Sequence, residues 1–269
     1  MNGIVISIDP VLFRAGALEL RWYGIAITAA IVIAVVVAFR EAKRVGFPTA
    51  EVIGVTPWVL LGGIVGARLF HVIDRWQYYA ANPLGIVMLQ QGGLAIWGAV
   101  VGGGVALLVY CLKRRLPVLL FADVLVPALL AAQIVGRFGC IVNGDAWGGP
   151  TSLPWGFIYV HPDALVPAAL VGVPTHPYPV YEMLWNGAVL GVLLAVRGRI
   201  GKPGLLFVIY LALYAIGRFG FTFVRQETGF WLGLQQAQLV ALGILAVSIV
   251  AALVIILRKP GTLQWQSTL

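Results

Sequence analysis

Residues Pro117–Val135 read PVLLFADVLVPALLAAQIV, and Gly136–Gly149 directly after them read GRFGCIVNGDAWGG. As a helix, the first segment is about as long as the hydrocarbon core of a bilayer is thick. The second sets Arg137, Asn143, Asp145 and Trp147 among glycines at the end of that apolar run. A guanidinium, an amide and a carboxylate so close to a membrane-length segment are costly unless they face a protein interior or a cavity. The two segments together point to a bilayer crossing with a functional site at its end.

Composition extends this reading to the whole chain. Of 269 residues, 61% are hydrophobic and only 10% are charged, and the mean hydropathy is +0.96. Soluble domains carry roughly 25% charged residues. The chain therefore reads as a polytopic membrane protein, all-α, rather than one with a single anchor. No secretory signal peptide is expected, because the first apolar run begins near Trp22, is long enough to span and lacks an A-x-A-like site after it. Cys111 and Cys140 lie in or beside apolar segments. Their spacing fits no metal motif and no disulfide framework.

Seven apolar runs of roughly bilayer length follow a mixed lead-in over residues 1–21, where Asp9-Pro10 and Gly16 break any helix. The runs are Trp22–Phe39, Val52–Ile73, Gly93–Leu112, Pro117–Val135, Tyr178–Val196, Gly204–Val224 and Gln235–Leu257. The chain is thus expected to form one integral membrane domain over 1–269 with seven transmembrane helices, and an outer loop at 147–177.

The basic residues orient it. Arg40, Lys43 and Arg44 follow run one. Lys113, Arg114 and Arg115 follow run three. Arg197, Arg199 and Lys202 follow run five, and Arg258 and Lys259 follow run seven. By the positive-inside rule these segments are cytoplasmic, which puts the N-terminus outside and the C-terminus in the cytoplasm. The net charge of +8 is then a membrane-leaflet signature, and no nucleic acid is implied.

The remaining seven arginines, 14, 21, 68, 75, 137, 218 and 225, lie on or toward the outer side. Snorkelling suits Arg75 and Arg225. It suits Arg68 and Arg218 poorly, because they lie deeper in their runs. Arg68, Arg137 and Arg218 are expected at similar depth, and arginine without lysine points to bidentate recognition of an oxyanion such as phosphate. Gly62 with Gly66, Gly98 with Gly102 and Gly187 with Gly191 are spaced for close helix packing. Gly92-Gly93 and Gly102–Gly104 offer a second use, close backbone approach to a ligand. In the long loop, Trp155, Phe157, Tyr159 and Tyr178 are expected to form an aromatic belt at the headgroup level.

Gly136–Gly149 resembles the signature of the prolipoprotein diacylglyceryl transferase family. RWYG (Arg21–Gly24), GGxxGARL (Gly62–Leu69), QGGLAIWG (Gln91–Gly98), HPYPVYE (His176–Glu182) and YAIGRFGFTFVRQ (Tyr214–Gln226) fall in the same order as in that family. The seven-helix, N-out topology is also that of the family. The resemblance implies a transferase of the bacterial cytoplasmic (inner) membrane, with its active site toward the outer leaflet. It moves the diacylglyceryl group of phosphatidylglycerol to the cysteine thiol in the signal-peptide lipobox of a preprolipoprotein, the first step of lipoprotein maturation. The family's essential arginines fall on Arg137 and Arg218, and its polar partners on Tyr23, Asn143, Asp145, Gly148, Glu182 and Tyr214.

The residue chemistry supports the same roles. Arg137 is assigned to the lipid phosphate, and Arg218 to the leaving phosphate or the thiolate. Asn143 and Asp145 either bond the headgroup glycerol or brace Arg137. Tyr23 and Tyr214 are phosphate-ligand candidates, Glu182 an arginine partner, and Arg68 either a substrate contact or half of a structural salt bridge. Cys140 reads as a small core residue.

Departures are Trp97, where many members carry a histidine proposed as the thiol's base, and Ile141 and Asp145, where Phe and Glu are commoner. His71 and His176 are the minor candidates for a replacement base. No metal or nucleotide motif is present, and no cofactor is expected. The competing readings are an anion or lipid transporter and a catalytically inactive relative. The first lacks polar residues along a path to the inner face, Asp123 being the sole acid in the inner part of a run. The second rests on Trp97.

Overall fold

A computed structural model describes residues 3–16, 18–88, 92–225, 231 and 233–258. Gln91, Gln226 and Lys259, used in the sequence reading, lie outside the described residues. The helices are α1 (Trp22–Val45), α2 (Thr49–Asp74), α3 (Trp76–Ala81), α4 (Ile96–Arg114), α5 (Val118–Asn143), α6 (Tyr178–Val196), α7 (Leu205–Thr222) and α8 (Gln236–Leu257). All but the short α3 are long and apolar enough to cross a membrane, which makes seven among the described residues. Strands are few and short: β1 (Ile4–Ile6), β2 (Val11–Ala15), β3 (Leu18–Arg21) and β4 (Phe157–Tyr159).

Three departures from the sequence reading have physical causes. First, α5 does not stop at Val135 but runs on to Asn143, so Arg137 sits inside the helix rather than at its end. Phe138, Ile141 and Val142 keep the segment apolar on its other sides, and Gly139 packs against α1, where an added Cβ would lie 3.1 Å from the Tyr23 Cα. The helix stops at Gly144, whose φ of 72° is a left-handed C-terminal conformation that suits glycine. Second, α4 starts at Ile96 and not Gly93, because Gly92 and Gly93 have φ of 78° and 79°. Third, four of the basic residues belong to helix ends rather than loops: Lys43 and Arg44 lie in the last turn of α1, and Lys113 and Arg114 in that of α4. There they complement the negative end of the helix dipole. The lead-in is extended as expected, and it contains the β2–β3 hairpin, which turns at Gly16 with φ of 59°.

The chain divides into two compact units, residues 38–124 and residues 1–37 with 125–269. In the first, α2 and α4 meet along Gly62, Gly66, Gly98 and Gly102. A Cβ on Gly66 would fall 2.8 Å from the Gly102 Cα and 3.1 Å from its N. Both obstacles are main chain and cannot swing aside. Overpacking of this kind costs about 1–3 kcal/mol, so Gly66→Val should lower the thermal unfolding temperature in detergent. Gly104→Ala, where an added Cβ meets nothing within 4 Å, should not.

In the second unit, Val126 and Leu130 of α5, Val189 and Leu193 of α6, and Leu206 and Tyr210 of α7 form a shared apolar core. Gly187 and Gly191 face open space, with nothing within 4 Å of an added Cβ, so this third glycine pair is not a packing seam. Outside the helices, β1 pairs in parallel with β4, Ile4 opposite Phe157 and Ile6 opposite Tyr159. That pairing ties the N-terminal segment to the α5–α6 connection.

Candidate active site

The site lies in the unit formed by 1–37 and 125–269. Pro177 precedes α6, whose first residue is Tyr178. Glu182 follows Tyr178 by four positions and so shares its face. Arg137 comes from α5 and Arg218 from α7. The two arginines converge on Glu182: Arg137 Nη2 pairs with Oε2, and Arg218 Nη1 lies 3.1 Å from Oε1. The Tyr178 hydroxyl donates to the same Oε1 at 2.7 Å and accepts from Arg218 Nη1. Glu182 is 7% exposed and Tyr178 is fully buried.

Two guanidinium groups this close repel each other strongly where the dielectric is low. Glu182 offsets that repulsion, and two cations with one anion leave one net positive charge. The guanidinium carbons of Arg225, Arg218 and Arg137 lie 5.0, 5.9 and 6.0 Å from the centre of the Tyr178 ring. A ring face attracts cations at such distances.

Main-chain hydrogen bonds hold the frame. Gly148 N donates to His176 O at 3.2 Å, His176 N to Gly149 O at 2.9 Å, and Gly149 N to Val224 O at 2.7 Å. The segments after α5, before α6 and after α7, the three helices that carry Arg137, Glu182 and Arg218, are thereby joined. Gly148 has no room for a side chain, since a Cβ would fall 2.7 Å from the His176 Cβ and 2.8 Å from its O. Its role in the structure is close packing.

The other candidates are spread around this centre. Asn143 is buried, and its Oδ1 accepts from Arg21 Nη1 at 3.0 Å. Asp145 follows the end of α5. Burial pushes its carboxyl above the ordinary range, opposed by hydrogen bonds from Asn143 and Cys140 and by the charge of Arg137. Tyr23, at the start of α1, is within electrostatic reach of Asp145, Cys140 and Arg137. Tyr214 precedes Arg218 by one turn and packs toward Tyr210, ring centres 6.3 Å apart, beside the apolar core.

Arg68 belongs to the other unit, 38–124. It is buried, and makes no salt bridge among the described residues. Its Nε donates to Ile86 O at 2.8 Å, its Nη1 to Gly93 O at 2.9 Å and also to Gly92 O, and its Nη2 to Met88 O at 3.3 Å and also to Gly85 O. All five N–H groups of the guanidinium are thus matched by main-chain carbonyls.

Three site residues escaped the sequence reading or were placed differently by it. Tyr178 was expected in an aromatic belt with Trp155, Phe157 and Tyr159. Only Trp155 is exposed, whereas Tyr178 lies at the centre of the arginines. Its i, i+4 relation to Glu182 was the available signal. Arg225, expected to snorkel, faces the Tyr178 ring. Cys140 is buried as expected, but its Sγ also accepts from Arg137 Nη1 at 3.7 Å.

Neither histidine of this unit sits on the arginine pair. His176 Nδ1 lies 3.2 Å from the Tyr181 hydroxyl, and His161 lies beside Asp9 and Asp163. Those last three residues bring ligand-type atoms within 4.8 Å of one another, but Arg14 already pairs with Asp163.

Fold and site together define a multi-pass membrane protein in which two guanidinium groups from separate helices meet on one buried carboxylate. The family model described as prolipoprotein diacylglyceryl transferase matches residues 10–255. Relatives named phosphatidylglycerol–prolipoprotein diacylglyceryl transferase include one from Symbiobacterium thermophilum, 38% identical with 96% of each chain covered. Another, from Nostoc sp., is 34% identical over 94% of this chain and 91% of the relative, and one from Limosilactobacillus reuteri is 33% identical over 98% and 96%. The chain belongs to the prolipoprotein diacylglyceryl transferase family.

Proposed function

We propose that the chain transfers the diacylglyceryl group of phosphatidylglycerol to the lipobox cysteine of a preprolipoprotein. A thioether forms and glycerol phosphate leaves. Family membership supports the reaction, and the meeting of Arg137 and Arg218 on one carboxylate is the single observation that carries the site.

The chemistry needs a thiolate and a stabilised departing phosphate. A free thiol with a pKa near ~8.5 is ionised only to about a few per cent at neutral pH. Arg137 holds the phosphate of the lipid. Arg218 stabilises the charge that builds on the leaving oxygen, the kind of contact worth roughly 3–4 kcal/mol per donor in other enzymes. Glu182 positions both. Asn143 and Tyr23 line the approach to Arg137, and Tyr214 and Gly148 support the frame. Arg68 acts by holding the loop that carries Gly92 and Gly93.

The basic helix ends face the cytoplasm under the positive-inside rule. The N-terminus is then outside, the 147–177 segment is an outer loop, and the site opens to the outer leaflet of the bacterial inner membrane. The lipid enters sideways with its headgroup at the arginines.

The test uses the purified protein in vesicles containing phosphatidylglycerol radiolabelled in its acyl chains, with a lipobox peptide as acceptor. Label appearing on the peptide cysteine is the expected result. A folded protein that binds the lipid but leaves the peptide unlabelled would overturn the proposal in favour of transport or mere binding.

A further inference from the structure

We infer that Asp145 is the catalytic base that takes the proton from the acceptor thiol. The assignment rests on the transfer reaction proposed above and adds a residue role to it.

A base must stand near the phosphate-bearing carbon, and therefore near Arg137. Among the described residues, two carboxylates are within electrostatic reach of Arg137. Glu182 is committed, one oxygen to Arg137 and the other to Arg218 and Tyr178. Asp145 makes no salt bridge among the described residues, and its Oδ1 is buried without a hydrogen-bond partner. Its link to the arginine pair runs through α5: Arg137 donates to Cys140 Sγ, and Cys140, Asn143 and the charge of Arg137 all act on the Asp145 carboxyl. The polar and titratable groups that face it are Arg137, Cys140 and Asn143 of α5, Tyr23 of α1 and Tyr159 of β4. Tyr159 is 1% exposed, and its hydroxyl also has no partner among the described residues. Two buried polar atoms without partners among the described residues are thus within electrostatic reach of each other. The histidines of this unit are engaged elsewhere.

Burial raises the basicity of such a carboxylate toward that of a thiol, which favours proton transfer between them. In the step, the S–H proton passes to the Asp145 carboxylate and the sulfur forms a bond to the glycerol carbon. The carbon–oxygen bond to phosphate breaks, and its electron pair stays on the phosphate oxygen. The proton then leaves Asp145 for that oxygen, so the carboxylate is regenerated and glycerol phosphate departs as the monoester.

Asp145→Asn keeps the shape and removes the base. With a cysteine lipobox peptide, its kcat should fall by about 10²–10⁴-fold, the usual contribution of a general base. A selenocysteine peptide needs no base, since a selenol is ionised at neutral pH. With that acceptor the deficit should shrink to within roughly tenfold. Wild-type kcat should rise with pH as Asp145 ionises, at higher pH than for an ordinary carboxylate, and this limb should vanish in Asp145→Asn. Asp145→Glu should restore part of the rate.

An equal deficit with both acceptors would mark Asp145 as structural and overturn the assignment, as would full activity of Asp145→Asn with the thiol. Wild-type protein inactive toward both peptides would overturn the transfer reaction itself, and the base with it.

Discussion

Arg137→Ala and Arg218→Ala are each expected to abolish diacylglyceryl transfer while the protein still inserts into the membrane. Each replacement removes a cation from the place where phosphate charge builds, at a cost of at least about 10²–10³-fold by comparison with single oxyanion donors elsewhere. Each also removes one of the two cationic partners of Glu182. The remaining arginine still neutralises that carboxylate, so the fold should persist. Lysine should rescue poorly at either position, because an ammonium cannot reproduce the planar two-point contact of a guanidinium. The measurement is label transfer to the peptide, with membrane insertion and unfolding temperature as controls. Full transfer by either alanine variant would refute the assigned roles.

Glu182→Ala should act mainly on stability. It leaves Arg137 and Arg218 facing each other with no anion between them, and it strips the Tyr178 hydroxyl of its acceptor. Removing one partner from a buried ion pair costs about 3–5 kcal/mol, and here a like-charge contact is added. The unfolding temperature should drop by several degrees or more. Phosphatidylglycerol should restore more stability to this variant than to the wild type, because the bound phosphate supplies the missing negative charge and binds only the folded state. An unchanged unfolding temperature would show that the carboxylate does not hold the pair.

The spans were legible because a bilayer demands long uninterrupted apolar runs, and α6 begins and ends where the sequence puts it. Errors fell where glycine or charge interrupts the run. Gly136 and Arg137 look like a terminus in one dimension, yet in α5 they turn toward protein and the helix continues to Asn143. In the sequence, α3 and the turn at Pro83–Val87 leave no periodic signal.

Within the site, Arg137, Arg218 and Glu182 announced themselves as charges beside or within apolar segments. Tyr178 and Arg225 did not, since an aromatic and an arginine near a helix end look the same whether they face lipid or a neighbouring side chain. Arg68 shows the converse. Its burial was foreseeable, but its partners are main-chain carbonyls, which no side-chain pattern reveals.

The glycine seam between α2 and α4 carries a thermal consequence. Its helices touch backbone to backbone, and within lipid no ordered water is released when they meet. The heat-capacity change that makes water-driven cores loosen on cooling is therefore small for this contact. The pairing should hold its strength across the growth range, including at low temperature, where a seam of large side chains brought together by dehydration would weaken.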